Sequence, residues 1–514
     1  MKKLAGLMLI SLLAMCLRIE GFRDIYSGRL LWAEDAPVFM ERAAADSGLA
    51  MLFEPYAGYL HLYPRLVAWI GNLVPLADRP GIYFAGWLLV YVFVSYVVAK
   101  AARIQGMGWY AIGVLLIAIA CQPHYGEALF NITNAQWILG VALIFVAMTD
   151  LPLLPTHPMA GGVLLLVMAL TGPFSIFLVP VMAIKAAVLK DFAQRKTVYL
   201  PVALGAAVQL FFIVRSGRAT QFDEMAPLGD FLSTIAQVLC FGATTTIGYV
   251  AVAVFWCVLL IGLCQTERLR RRPLLFLLAA VGLLYLGELY SVRISPLSSV
   301  AFFVGTRFTW IPYTTLFFVA FAVTQGRWAL RWLLVFALAG ICVPSWQPMG
   351  NHDYGFRSLA KLSAWRAVDI PINPGFFTVH VEPGKSVSEE QMPYANFPYR
   401  TSWVSTMSSI GDMEFVADTR EPTIMFSAPA QCKKATDLVV ALDITRNVEG
   451  PVQLFWNSVY FFSEKRSTRQ WYKAGRVQIE LGFPVKSETT YLRFDPMDGA
   501  GTVKIHDIKV YCLT

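Results

Sequence analysis

The sequence predicts a polytopic α-helical membrane protein that carries a C-terminal antiparallel β-sandwich. Three observations point there. The 514 residues are 57% hydrophobic and only 15% charged, a balance outside the range of soluble domains. Apolar stretches of membrane-spanning length recur from the N-terminus to about Val343. Beyond Asn351 they stop, and short alternating segments bounded by turn residues take over.

The elements follow in chain order. Spans fall near residues 4–19, 81–99, 108–122, 136–150, 159–172, 174–189, 198–214, 248–264, 274–290, 308–324 and 328–345, about eleven in all. The first follows Met1-Lys2-Lys3, and Arg18-Ile19-Glu20 is a poor cleavage site, so it reads as an uncleaved span. Two shorter apolar segments, near 62–76 and 231–246, are bounded by Pro and Gly and read as interfacial or re-entrant helices. Basic residues collect at Lys100 and Arg103, at 185–196, at 268–272, and at Arg327 and Arg331. If those clusters are cytoplasmic, the N-terminus lies inside and an odd number of spans puts the C-terminus outside. The net charge of +8 is thus assigned to membrane orientation, with no nucleic-acid partner.

Residues 1–350 therefore form the transmembrane domain, 351–420 a polar, proline-containing connection, and 421–514 the β-domain. Its strands fall at 423–426, 438–444, 452–456, 477–481, 490–494 and 503–511. Trp456 and Trp471 there are either stacking platforms for a glycan or core residues. Cys432 and Cys512 lie in this polar part and either pair in an oxidising compartment or remain two free thiols.

Residues with chemical potential gather in the loops assigned to the external side. The first loop, about 20–61, begins with Trp32-Ala33-Glu34-Asp35. A carboxylate at a membrane surface can take a proton from an attacking hydroxyl or hold a divalent metal. Adjacent residues on a helix diverge by about 100° and cannot both face one substrate. Asp35 is the assigned base and Glu34 a metal or substrate contact; the plain alternative is a solvated pair. Should magnesium or manganese serve, these two carboxylates are its ligands.

The same loop ends in Glu54-Pro55-Tyr56-Ala57-Gly58-Tyr59-Leu60-His61-Leu62-Tyr63-Pro64-Arg65. Glu54, Tyr59 and His61 are substrate-side candidates, although Tyr and His also anchor helices at interfaces. Arg65 beside an apolar helix calls for a partner, and a phosphate would serve. In the second loop, His124 and Glu127 are acceptor-side candidates. Asn134, Gln136 and Trp137 suit a sugar, whose hydroxyls take amides and whose apolar face stacks on an indole. The alternative makes Asn134 a helix cap and Trp137 an anchor. Arg293 and Arg307 are candidates for a donor phosphate, and a Glu288–Arg salt bridge explains the same residues equally. No Walker A, Gly-x-Ser-x-Gly or zincin motif occurs.

Glu34-Asp35 in its loop, Pro55-Tyr56-Ala57-Gly58-Tyr59-Leu60-His61, Asn134-Ala135-Gln136-Trp137 and Thr171-Gly172-Pro173-Phe174 resemble segments of the GT-C superfamily of polytopic glycosyltransferases. A looser likeness is to O-antigen-modifying glucosyltransferases. The resemblance covers roughly residues 1–345 and implies a polyprenyl-phosphate sugar donor, inversion at the anomeric carbon, and Asp35 near the acceptor. It further implies a cell-envelope glycan or lipid acceptor on the periplasmic face of a bacterial inner membrane. A small flippase and a cytoplasmic donor-making transferase are the partners that such a supply needs. Leu454-Phe455-Trp456-Asn457 and Leu492-Arg493-Phe494-Asp495-Pro496 look similar to β-sandwich modules of polysaccharide-handling proteins. The rival readings are a transporter or flippase of lipid-linked sugars, a polymerase or ligase, and a non-catalytic glycan-binding subunit.

Overall fold

The computed structural model describes residues 2–514 except 22–23, 47, 124–125, 150, 155, 217–224, 294–295, 297–306, 347–350, 376, 384–393, 397–402, 406, 412, 418–421, 430–431, 433–434, 458–461, 463–465 and 486–490. The chain forms two compact units. The first comprises Met1–Glu20, Gly48–Val67 and Ala85–Met349; the second comprises Gly21–Ser47, Ala68–Phe84 and Gly350–Thr514.

The helices run α1 (Lys2–Cys16), α2 (Asp24–Ser27), α3 (Glu41–Ala45), α4 (Leu62–Gly71), α5 (Arg79–Ile104) and α6 (Trp109–Ala120). Next come α7 (Ala135–Met148), α8 (Pro158–Ala169), α9 (Phe174–Leu189), α10 (Phe192–Arg215) and α11 (Leu228–Leu239). The last are α12 (Thr246–Gln265), α13 (Arg268–Ser291), α14 (Arg307–Val323), α15 (Trp328–Cys342) and α16 (Phe356–Leu362).

Four helical segments among the described residues are long and apolar enough to cross a bilayer: Leu76–Ile104, Phe192–Arg215, Thr246–Gln265 and Arg268–Ser291. They mark a membrane-associated protein. The expected count of about eleven is corrected. Seven further apolar helices have only 10–17 residues. At 1.5 Å per residue the longest of these rises about 26 Å, short of the roughly 30 Å hydrocarbon core. Hydropathy continues through residues that leave the helix, as at Leu170 to Pro173 between α8 and α9, so a window of apolar residues overstates helix length.

Inside the first unit, polar side chains close helix ends that lack backbone partners. Arg18 donates from Nε to the Ala120 carbonyl at the end of α6 (3.1 Å). Arg195 donates to the Val146 and Thr149 carbonyls at the end of α7, at 2.7 and 2.6 Å. A cation there meets the negative end of the helix dipole. Lys185, fully buried, pairs with Asp191 (3.2 Å), which also accepts from the Tyr199 hydroxyl (2.8 Å). The basic segment 185–196 thus carries structural work as well as charge.

The second unit holds two antiparallel sheets. Its strands are β3 (Val368–Ile372), β4 (Phe377–Val381), β5 (Tyr394–Asn396), β6 (Trp403–Ser405), β7 (Met407–Gly411), β8 (Glu414–Ala417) and β9 (Thr423–Ser427). They continue as β10 (Asp437–Arg446), β11 (Gly450–Asn457), β12 (Ser467–Tyr472), β13 (Gly475–Pro484), β14 (Tyr491–Asp495) and β15 (Gly501–Leu513). One sheet is ordered β13-β10-β15-β8-β7, with β5 also on β15; the other is ordered β12-β11-β14-β9-β6. β3 and β4 form a separate hairpin. Alternating residues such as Leu438, Val440, Leu442 and Ile444 from one sheet meet Val452, Leu454, Leu492 and Phe494 from the other in a common core. Trp456 stacks on Phe483 at 4.6 Å and belongs to that core, whereas Trp471 is 54% exposed. Cys432 and Cys512 form a disulfide.

Candidate functional site

In the second unit, the Glu34-Asp35 loop is anchored on the chain around residues 351–373. Arg29 donates to the Asn351 carbonyl (2.9 and 2.6 Å) and pairs with Asp24 (3.0 Å). Asn373 returns a side-chain hydrogen bond to the Arg29 carbonyl (3.0 Å), and its own carbonyl accepts from Ala33 N–H (2.6 Å). These bonds hold Ala33 at φ 43°, a left-handed conformation unusual for a residue with a Cβ. Residues 33–35 then form a single 3-10 turn.

Asp35 is fully buried, and its Oδ2 accepts from the Trp32 backbone N–H at 3.1 Å. Glu34 is half-buried and is the more accessible of the two. Tyr83 of α5 is near enough to Asp35 to interact electrostatically, and its buried hydroxyl has no hydrogen-bond partner. Arg79 sits one turn before it on the same helix. Tyr83 carried no signal in the sequence beyond being one aromatic in an apolar helix. Among the described residues, no group of three or more His, Cys, Asp and Glu side chains is disposed to hold a metal ion.

The first unit gathers most of the other candidates at one end of its helices. β1 (Pro55–Tyr56) and β2 (Tyr59–Leu60) make a two-stranded hairpin. His61 bridges to Thr171, Leu62 N–H donates to the Leu170 carbonyl (3.2 Å), and Gly172 N–H donates to the Leu60 carbonyl (3.1 Å). Gln209 of α10, fully buried, locks this junction. Its Oε1 accepts from Leu60 N–H (2.8 Å) while its Nε2 donates to the Leu60 and Gly172 carbonyls (3.1 and 3.0 Å). Gly172 has φ 111°, and a Cβ there would collide with Phe174 and with Gln136 Oε1. Segments 55–61, 134–137 and 171–174 thus meet, although more than a hundred residues separate the first from the last.

Within this junction His61 is buried, its Nδ1 lies 3.2 Å from the Tyr59 carbonyl, and its ring stacks on Tyr59 at 4.4 Å. Arg65 is also buried and is engaged by Glu54, through the carbonyl (2.8 Å) and the carboxylate (3.7 Å). Arg307, at the start of α14, pairs with Glu127. Asn134 does not cap α7 with its side chain; its Nδ2 donates to the Glu127 carbonyl (2.8 Å), and its N–H donates to Asn131 Oδ1 (2.9 Å). Asn131, which the sequence marks only as the start of the sequon Asn131-Ile132-Thr133, organises the loop through both functions of its amide. Trp137 lies edge-on to Phe174 and Phe308, each ring centre 5.0 Å away. Gln136 Oε1 and Trp137 Nε1 are buried without hydrogen-bond partners among the described residues.

Arg293 stacks its guanidinium on the Tyr290 ring (5.0 Å). Among the described residues Glu288 forms no ion pair, and neither of its buried oxygens has a hydrogen-bond partner. His124 lies outside the described residues.

No family model and no curated protein matches the chain. Among solved structures, a family GH115 4-O-methyl-alpha-glucuronidase with specificity for decorated arabinogalactans matches at 10% identity and a TM-score of 0.19. The match covers 52% of this chain and 40% of the other, and a likeness that weak carries no argument.

Proposed function

We propose that the protein is an integral-membrane glycosyltransferase that moves a sugar from a polyprenyl-phosphate donor to a cell-envelope glycan or lipid on the periplasmic face. One observation carries the reading: Gln136 Oε1 and Trp137 Nε1 are buried, with no hydrogen-bond partner among the described residues, in the same junction as the charged pair Glu127–Arg307. Buried polar atoms are almost always hydrogen-bonded, so each of these two groups marks a place where a polar group of a ligand or a water belongs. One orphan accepts and the other donates, which suits sugar hydroxyls.

In the reaction, an acceptor hydroxyl attacks the anomeric carbon, the bond to the phosphate oxygen breaks, and the lipid phosphate leaves. On the resemblance alone, Asp35 of the second unit is the proposed base that takes the hydroxyl proton, and Glu34 is its accessible neighbour. Arg307 and Arg65 offer cationic stabilisation to the leaving phosphate, already poised by Glu127 and Glu54. The Cys432–Cys512 disulfide supports an oxidising compartment for the sheets, consistent with a periplasmic C-terminal domain.

The test is transfer of radiolabelled sugar from polyprenyl phosphate to purified envelope glycans, with wild type beside Asp35→Asn and Glu34→Gln. Loss of transfer in a normally inserted Asp35→Asn protein supports the assignment. Full activity in that variant with loss in Glu34→Gln moves the base to Glu34. The exposed Trp471 favours a second role for the sheets as a glycan-binding module, which Trp471→Ala tests by glycan affinity.

A further inference from the structure

The second unit holds a cavity of about 870 Å³ that the proposed chemistry leaves unused. Every residue lining it belongs to that unit. They come from α3, from the chain leading into α5, from the end of α16, from β4 and from the end of β15. Met40, Leu76, Trp365, Val379 and Val381 supply much of an apolar wall. Several hundred Å³ enclosed by apolar side chains and a few polar ones is the usual form of a small-molecule site.

Five charged side chains also line it: Glu41, Arg79, Lys361, His380 and Glu382. Four of them are engaged within the unit. His380 bonds Glu382 through Nε2 (3.0 Å) and Asp369 through Nδ1 (2.7 Å), and its backbone N–H donates to Glu41 (2.5 Å). Lys361 donates to Asp437 and to Thr436, both at 2.7 Å. Arg79 is the exception. It is half-buried, makes no ion pair among the described residues, and its buried Nε has no hydrogen-bond partner among them. Arg79 is also the first residue of α5, where the helix dipole is positive and disfavours a cation. A guanidinium kept there, on the wall of a cavity, is balanced by an anion, which both its charge and the dipole would hold.

The apolar wall requires that this anion bring a hydrocarbon body. Leu76 and Arg79 open the segment Leu76–Ile104, which is long and apolar enough to cross a bilayer, so this side of the cavity lies where the span meets the membrane surface. Lipid head groups occupy that level, and a long basic side chain reaches toward them. We propose that the cavity binds an acidic phospholipid of the surrounding bilayer, its phosphate on Arg79 and an acyl chain along Met40, Leu76, Trp365, Val379 and Val381. The lipid is a bound component, neither sugar donor nor acceptor, so the proposal stands apart from the glycosyltransferase reading.

The experiment places the full chain in phosphatidylcholine nanodiscs carrying a minor fraction of brominated lipid, either phosphatidylglycerol or phosphatidylcholine. Bromine on an acyl chain quenches an indole that it touches, and the difference between wild type and Trp365→Phe isolates the Trp365 signal. The expected result is half-quenching at a phosphatidylglycerol fraction about tenfold lower than for phosphatidylcholine. Arg79→Gln should erase that preference, and Arg79→Lys should keep part of it. Ala44→Leu with Ala364→Leu narrows the cavity without touching Arg79 and should reduce quenching by phosphatidylglycerol. Should Arg79→Gln unfold, the wild-type preference and the narrowed cavity still decide. Equal quenching by the two lipids, or none by either, overturns the proposal. Relief of quenching by inorganic phosphate assigns the site to a free anion and overturns the bilayer source. Stronger relief by polyprenyl phosphate than by unlabelled phosphatidylglycerol assigns the cavity to the donor and also overturns it. Sugar transfer assayed in the same discs reports on the enzyme reading separately.

Discussion

Glu127 and Arg307 form an ion pair across 180 positions of sequence, joining the loop before α7 to the first residue of α14. The glutamate side chain is 7% exposed and the arginine 31%, so the charge on the carboxylate depends on the guanidinium for its main compensation.

Removing one partner takes from the other its opposite charge at this contact. Arg307→Ala is expected to destabilise the helical unit by about 3–5 kcal/mol, and Glu127→Ala by less, because Arg307 can reach solvent. The double variant should recover part of the loss. Thermal unfolding of the four proteins in detergent completes the cycle, and strictly additive losses would refute the coupling.

Gln209 holds the junction rather than any ligand. Gln209→Leu strands the N–H of Leu60 and the carbonyl of Gly172, at about 1–3 kcal/mol for each buried group left unmet, while the Leu60 carbonyl keeps the Gly172 N–H. The expected outcome is faster amide exchange across residues 59–62 and 170–172 and reduced transfer, with helix content unchanged. Wild-type protection at Leu60 in the variant would contradict this.

The Cys432–Cys512 disulfide closes a separation of 80 residues. Its reduction, or Cys432→Ser with Cys512→Ser, should lower the stability of the sheet unit by about 2–5 kcal/mol. Denaturant unfolding followed by a fluorescence probe on the sheets would report it, and an unchanged midpoint would refute the estimate.

His380 binds Asp369 through Nδ1 (2.7 Å) and Glu382 through Nε2 (3.0 Å), and its backbone N–H donates to Glu41. The two carboxylates raise its pKa from 6.5 to about 9. A raised folded-state value means that this stabilisation is complete below pH 6.5 and is lost as pH climbs through about 9. Because the side chain is exposed, the effect is local and small. Amide exchange in β4 should quicken over that window in wild type and stay flat in His380→Asn. A flat wild-type profile would count against the imidazolium.

Much of the fold was legible. The six alternating segments between 423 and 511 all appear as strands, because a pleated strand with one buried face must alternate. β3 to β8, in the stretch 351–420 read as a connection, and β12 were not marked; Ser467 to Tyr472 carries Arg and Gln amid its aromatics. The helix count did not survive, because hydropathy measures composition and not where Gly172 or Pro173 ends a helix.

The sequence by itself determined that this chain is apolar enough for a bilayer, that it ends in β-structure, and which loops concentrate carboxylates, amides and cations. Only the tertiary structure decided that Arg65 and Arg307 are held by Glu54 and Glu127, that Asp35 is buried while Glu34 is accessible, and that Glu288 is buried. The physical reason is range. Composition and periodicity act over a few residues, whereas hydrogen bonds and ion pairs are satisfied by groups brought together through packing, such as Leu60 and Gln209, 149 positions apart.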